Sequence, residues 1–180
     1  MKTKSFPCIV ALGLGLALGQ AADSIQDQVA KRVDAELPSL VSLYKHFHTN
    51  PELSFMEAET AKRLAGELRG AGLTVTPGVG GHGLVGVLKS GDGPTLLIRA
   101  DMDGLPVQEE TGLPHASKKQ MTDDHGNTVY TMHACGHDVH MTSFIGTARM
   151  LGALHDQWSG TLVMIGQPAE ERGAGARAML

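Results

Sequence analysis

Apolar residues recur at a helical spacing in the first third of the chain. Between residues 25 and 47 they fall every three or four positions, at Ile25, Val29, Val33, Leu37, Leu40, Tyr44 and Phe47. Residues spaced in this way share one face of an α-helix. The pattern predicts an amphipathic helix that is kinked or restarted at Pro38 and that is broken by Asn50-Pro51.

A second helix is predicted directly after this break. Ser54 and Glu57 have the spacing of a capping box, in which a serine accepts a hydrogen bond from the new helix and a glutamate three residues later returns one. We therefore expect a helix from Phe55 to about Ala71, with Gly72 placed to end it.

The remaining pattern alternates strands and helices. It predicts strands at 73–76, 84–88, 95–100 and 161–165, a helix at 139–154 and the opening of another at 173–180. The turn residues Ser90-Gly91-Asp92-Gly93 favour a hairpin between the second and third strands. This order is typical of an α/β sheet with helical layers.

Acidic pairs follow two of these predicted strands. Asp101 and Asp103 come after one strand, and Glu170 and Glu171 come after another. Ligands of α/β proteins collect beyond the carboxyl ends of the strands. We therefore look for a site at this edge of the sheet.

Composition narrows the range of partners. The 180 residues carry a formal net charge of −4 at pH 7 without any basic run, which gives no electrostatic reason to expect nucleic acid as a partner. Small molecules and proteins remain open as substrates. Five of the nine histidines lie between His115 and His140, so this stretch is the richest in candidate ligands.

The first 21 residues have the pattern of a secretory signal peptide. Lys2 and Lys4 precede an apolar run from Phe6 to Leu18, and the small residues Gly19 and Ala21 follow it. A retained anchor is the alternative, but the run is shorter than the roughly 20 residues that span a bilayer. We expect a signal at residues 1–21 and a secreted or periplasmic part at residues 22–180, with no membrane contact after cleavage.

Cys135 and His137 lie in a segment, 132–140, that is dense in side chains able to bind metal. Cys8 leaves with the predicted signal, so Cys135 has no partner for an intramolecular disulfide. Gly136 lets the backbone bend, and both side chains can then turn onto one metal ion. A structural zinc site, a solvated histidine-rich loop and a cysteine hydrolase with a neighbouring histidine as base are alternative interpretations.

Glu170 and Glu171 follow a strand that is apolar enough to be internal. Two adjacent carboxylates that point into a crevice repel each other, so a buried pair needs a cation to remain ionised. One glutamate can then bind the ion while the other takes a proton from water. The alternative is a solvated acidic loop before a helix, whose amino terminus favours negative charge.

Asp101 and Asp103 are separated by one residue at the end of a strand. In extended backbone this spacing turns both carboxylates to one side. They could bind metal, or they could accept the ring N–H of a metal-binding histidine and so fix its tautomer. We prefer the second role, because cysteine, histidine and glutamate already supply a set of ligands. A turn with solvated aspartates is the alternative.

Four ordered segments together resemble one family over about residues 40–180. They read HTNPELSF at 48–55, RADMDGLP at 99–106, MHACGHD at 132–138 and QPAEE at 167–171. The family is that of the amidohydrolases that include hippurate hydrolase, aminoacylase-like enzymes and the auxin-conjugate hydrolases. It belongs to the zinc-dependent exopeptidases related to carboxypeptidase G.

The resemblance implies a metal-dependent amidohydrolase that cleaves the amide bond of N-acyl amino acids by attack of metal-bound water. It implies that Cys135, His137 and Glu171 are metal ligands, that Glu170 is the general base and acid, and that Asp103 supports the site. It further implies two divalent ions in the complete enzyme, which could be zinc, manganese, cobalt or nickel. The substrate it implies is a small molecule.

The fold that the resemblance implies is a zinc-exopeptidase-like α/β sheet with helices on both faces. We expect an incomplete catalytic domain, because the family supplies further histidine ligands downstream of Glu171 and the sequence has none there. The inserted lid domain that the family uses for dimerisation is also absent, so a homodimer is expected only with that domain. A non-catalytic fragment that folds or binds metal without turnover is the alternative to an enzyme.

We predict that the signal is removed near Ala21, because small residues at positions 19 and 21 follow the apolar run. Mass spectrometry of the exported protein should show a chain that begins close to Ala22. An exported chain that retains Met1 would contradict the prediction.

Overall fold

The computed structural model describes residues 23–180, and the predicted signal at 1–21 lies outside the described residues. The fold is α/β, as predicted. The helices and strands, in chain order, are α1 Ile25–Thr49, α2 Ala58–Gly70, β1 Thr74–Val79, β2 Gly83–Ser90, β3 Thr95–Asp101, β4 Gln120–Thr122, β5 Thr128–Tyr130, α3 His137–Ala153, β6 Gly160–Gln167 and α4 Gly175–Met179.

The main sheet has four strands in the order β1-β2-β6-β3. Strands β1 and β2 form the antiparallel hairpin, β2 pairs with β6 antiparallel, and β6 pairs with β3 parallel. The predicted hairpin between β2 and β3 is therefore wrong. The turn at 90–93 reverses the chain, but β6 takes the place between the two strands because its alternate residues, such as Leu162 and Met164, are fully buried.

One hydrophobic core lies between the sheet and a layer of three helices. Its buried side chains come from α1, α2, α3 and the inward rows of β2, β3 and β6, and include Leu43, Phe47, Leu64, Leu68, Leu84, Met141, Phe144, Ile145, Leu162 and Met164. We predicted helices on both faces, but α1, α2 and α3 all pack on this one face. On the other face of the described sheet, Val87 and Leu97 are exposed.

The short α4 lies apart from this helical layer. Its backbone at Ala178 approaches Gly80, and the side chain of Met179 approaches Gly83, at the turn between β1 and β2. The predicted opening of a helix in the last residues is confirmed.

Helix α1 runs without interruption through Pro38. Its carboxyl-terminal half is buried at Leu43 and Phe47, but Val33 and Leu37 are 46% and 52% exposed. The four-residue spacing thus predicts the helix correctly but does not distinguish the buried half from the exposed half. The guanidinium of Arg149 on α3 holds the helices together through bonds to Glu36 on α1 and Glu67 on α2.

The predicted capping box does not form, and α2 begins at Ala58 rather than Phe55. Both residues are engaged elsewhere: Ser54 Oγ donates to Asp103 Oδ2 at 2.6 Å, and Glu57 Oε1 accepts from the amide of Ala169 at 2.8 Å. The carboxylate of Glu52 accepts from the amide of Thr60 in the first turn of α2 instead. Gly72 has a φ of +92° directly after the helix, as its predicted role requires.

Strands β4 and β5 form a small hairpin inside the long loop between β3 and α3, which the apolar pattern did not predict. Within residues 23–180, none of the helices combines the length and the apolar character that crossing a membrane requires.

We predict that Leu64→Ala lowers the free energy of unfolding by about 2–5 kcal/mol, because Leu64 is fully buried between α2 and the sheet. Leu96→Ala is the matched control, since Leu96 is 56% exposed and its loss should change stability by no more than about 0.5 kcal/mol. Urea unfolding followed by circular dichroism measures both. Equal effects would contradict the assignment of the core.

Candidate metal centre

The site lies where β3 and β6 end side by side. Their parallel register pairs Asp101 with Gln167, and the amide of Met102 donates to the carbonyl of Gln167 at 3.0 Å. The residues that follow each strand therefore start from neighbouring points. The first turn of α3 then places His137 above both strand ends.

The carboxylate of Asp103 is fully buried and binds three donors. It accepts from Ser54 Oγ at 2.6 Å, from the amide of Glu170 at 3.1 Å and from the amide of Glu171 at 3.1 Å. Burial raises the pKa of Asp103, but hydrogen bonds from His137, Ser54 and the two amides outweigh it and hold the pKa below its usual value. Asp103 therefore remains an anion inside the protein.

The backbone carbonyl of Asp103 orients two histidines. It accepts from Nδ1–H of His137 at 2.8 Å and from Nδ1–H of His133 at 3.2 Å. The predicted orienting role of an aspartate thus falls mainly to its backbone oxygen, because its carboxylate is 3.6 Å from the same nitrogen. A ring that donates through Nδ1 presents the lone pair of Nε2 to a metal.

Three carboxylates surround His137 Nε2. The nearest oxygens belong to Glu170 at 3.7 Å, Glu171 at 3.9 Å and Asp101 at 3.9 Å. Burial lowers the pKa of His137, but hydrogen bonds to Asp103 and the charge of Asp101 raise it to about 9. An imidazole held among so many anions takes up a proton or a cation, so these residues fit a divalent metal ion.

Each of two sets of side chains could bind such an ion. In one set the ligand atoms of His137, Glu170 and Glu171 lie within 4.8 Å of one another, and in the other those of Asp101, His137 and His140 do. His137 Nε2 has one lone pair, so the two sets are alternative positions for an ion at this nitrogen. Sequence reasoning did not single out His140 as a ligand, although its place three residues after His137 on a helix puts both on one face.

Cys135 is exposed and lies outside both sets. Gly136 has a φ of +80°, so the predicted bend between Cys135 and His137 is present. A hydrogen bond to the carboxylate of Glu171 raises the pKa of the thiol, followed by burial and the charges nearby. A thiol held by a carboxylate is a poor nucleophile, which weakens the cysteine-hydrolase interpretation, but it is close to a predicted metal ligand.

His48, in the first of the four sequence segments, is bound on both sides. Its Nδ1 is 2.6 Å from Asp138 Oδ2 and its Nε2 is 3.0 Å from Glu109 Oε1. Burial lowers the pKa of His48, but these two carboxylates raise it above its usual value. Since Asp138 follows His137 directly, His48 anchors the start of α3 to α1 and to the long loop.

A model of the peptidase family M20/M25/M40 matches residues 97–180, which include all the predicted site residues. Over these residues the chain is similar to this peptidase family. The match begins within β3 and contains both acidic pairs and the cysteine–histidine segment.

Two relatives match most of this chain. It is 41% identical to a hippurate hydrolase of Campylobacter jejuni over 80% of its length, and 41% identical to an N-acetylcysteine deacetylase of Bacillus subtilis over 78%. The chain spans only 37% and 35% of the lengths of these two proteins.

A solved structure supports the same assignment. A Bacillus subtilis protein described as a dinuclear metal-binding peptidase of the M20 family superposes with a TM-score of 0.71 at 41% identity. The superposition covers 81% of this chain and 38% of that one. The predicted resemblance to metal-dependent amidohydrolases is therefore confirmed at the level of the family.

We predict that cobalt(II) binds more tightly as pH rises from about 6.5 to about 9. His137 has a pKa of about 9 in the metal-free protein, so binding below that pH must displace its proton. Displacing one proton strengthens apparent affinity about tenfold per pH unit. The stability that the protonated ring gives to the metal-free protein is complete below about pH 6.5 and is lost as pH rises through about 9.

Cobalt(II) titrations monitored by visible absorption at several pH values measure the slope of the logarithm of apparent affinity against pH. His155→Gln is the control, because His155 is half-buried and remote from the site, and it should leave the slope unchanged. An affinity that is constant between pH 6.5 and 9 would contradict the displacement of a proton from His137.

Proposed function

We propose that this chain forms the metal-binding part of an amidohydrolase that cleaves the amide bond of N-acyl amino acids. The observation that carries the proposal is the arrangement of His137 Nε2 among three carboxylates above the buried Asp103. The names of two relatives, hippurate hydrolase and N-acetylcysteine deacetylase, support the substrate class. The signal pattern supports export to the periplasm or the medium.

Cys135, His137 and Glu171 would hold the ion, which could be zinc, manganese, cobalt or nickel. A thiolate, an imidazole and a carboxylate suit several of these metals, so the ligand types do not select one. When bound, the ion acts as a Lewis acid that polarises a carbonyl and lowers the pKa of a coordinated water.

The two glutamates differ in ways that suit different roles. The side chain of Glu171 is only 14% exposed, as expected for a ligand. The side chain of Glu170 is 40% exposed, so it can reach solvent and substrate. Glu170 would accept a proton from the attacking water and donate it to the leaving amine, while the bond from its amide to Asp103 keeps it in place.

The partial coverage of the relatives supports a second candidate. The chain spans little more than a third of their length. Within residues 23–180, the site residues form one cluster at the ends of β3 and β6. A segment of this kind could bind metal without turning over substrate. Metal content measured together with activity separates the two candidates.

We predict that Glu170→Gln lowers turnover at least about 100-fold and leaves metal bound, because the amide is nearly isosteric but cannot accept a proton. Glu171→Ala should lose metal and activity together, because it removes a ligand. The assay measures the release of free amino acid from hippurate and N-acetylmethionine by the full-length protein that the gene encodes. Elemental analysis gives the metal content of each variant.

Glu59→Gln is the matched control, because the side chain of Glu59 is 75% exposed on α2 and away from the site. It should match the unsubstituted protein in both measurements. A metal content that falls with activity in Glu170→Gln would refute the assignment of roles. Stoichiometric metal with no turnover of either substrate by the unsubstituted protein would favour the second candidate.

A further inference from the structure

Glu57 is a completely buried acid that the proposed reaction does not use. It lies at the start of α2, yet its side chain does not cap that helix. Oε1 accepts two backbone hydrogen bonds, from the amide of Phe55 at 3.0 Å and from the amide of Ala169 at 2.8 Å. The second bond joins residues that are 112 positions apart in the chain.

Both donors have an unusual backbone conformation. Among residues 23–180, the non-glycine residues with positive φ are Phe55, at 64°, and Ala169, at 48°. An L-residue with a Cβ disfavours this region, so it is occupied where surrounding contacts hold it. Ala169 is itself fully buried, and its amide finds an acceptor in Glu57.

Ala169 stands directly before the two glutamates of the metal centre. Three successive amides in this turn donate to buried carboxylates: that of Ala169 to Glu57, that of Glu170 to Asp103 Oδ1 and that of Glu171 to Asp103 Oδ2. The φ of Ala169 sets the direction in which the next two residues leave the end of β6. Asp103 alone fixes the second and third amides but leaves the first without an acceptor.

We propose that Glu57 is a positioning residue of the metal centre, which holds Ala169 in its left-handed conformation and thereby directs the Glu170–Glu171 pair toward His137. The proposal rests on the proposed function, because it takes Glu171 as a ligand. The proposal gives the segment before α2 a direct part in shaping the site, although this segment is far from Glu170 and Glu171 in sequence.

The second oxygen of Glu57 takes no part in holding the turn. Oε2 is buried without a hydrogen-bond partner among the described residues. Burial raises the pKa of Glu57 despite the amides that it accepts, and the charge of Asp103 adds to the effect. Glutamine is nearly isosteric with glutamate and keeps the oxygen that accepts from Ala169.

The test compares three variants of the full chain by cobalt(II) titration. Glu57→Gln keeps the acceptor and should bind cobalt as the unsubstituted chain does. Glu57→Leu removes the acceptor and should weaken binding about 10- to 100-fold, as loss of a residue that orients a ligand does. Leu68→Ala, a fully buried substitution on α2 away from the turn, should reduce stability but leave cobalt affinity unchanged.

Hydrogen exchange of the metal-free chain gives a second readout. Glu57→Leu should abolish the protection of the amide of Ala169, whereas Glu57→Gln should retain it. If Glu57→Leu does not fold, Glu57→Asp replaces it, because the shorter side chain also moves the acceptor away from Ala169.

Three results would overturn the proposal: equal cobalt affinity and protection in Glu57→Leu, loss of binding in Glu57→Gln, or an equal loss in Leu68→Ala. If the unsubstituted chain binds no cobalt, the proposed metal centre fails. Exchange at Ala169 then still decides whether Glu57 holds the turn.

Discussion

One buried carboxylate, that of Asp103, fixes the geometry of the centre. Its oxygens accept the amides of Glu170 and Glu171 and the hydroxyl of Ser54, and its backbone carbonyl accepts Nδ1–H of His137. A buried anion is costly unless hydrogen bonds compensate for its lost hydration, so these donors and Asp103 stabilise one another. The imidazole of His137 and both glutamates are thus positioned by one buried residue.

The sheet order makes this arrangement possible. Strand β6 lies between β2 and β3 and runs parallel to β3. Both acidic pairs therefore emerge at the same edge of the sheet. The turn after β6 is then held from two directions, by Asp103 from the β3 side and by Glu57 from the start of α2. Segments that are far apart in sequence therefore depend on one another for the geometry of the site.

Local patterns predicted most elements but not their partners. The helical spacing indicated α1, and apolar runs indicated β2, β3 and β6, because both signals depend on neighbouring residues. The pairing of β2 with β6 depends on burial in the whole sheet, which a turn at 90–93 does not encode. Ser54 and Glu57 fit a capping box in sequence, but the long-range acceptor Asp103 and the long-range donor Ala169 compete successfully for them. The contact between Glu57 and Ala169 likewise became visible only once distant segments were brought together.

X-ray absorption spectroscopy of the zinc-loaded chain tests most directly whether Cys135, His137 and Glu171 bind one ion. If they do, the spectrum should show one sulfur neighbour at about 2.3 Å together with nitrogen or oxygen neighbours at about 2.0–2.2 Å and an imidazole signature. Cys135→Ser should remove the sulfur neighbour. A zinc site that contains only oxygen neighbours, or a sulfur signal that persists in Cys135→Ser, would contradict the assignment of this metal centre.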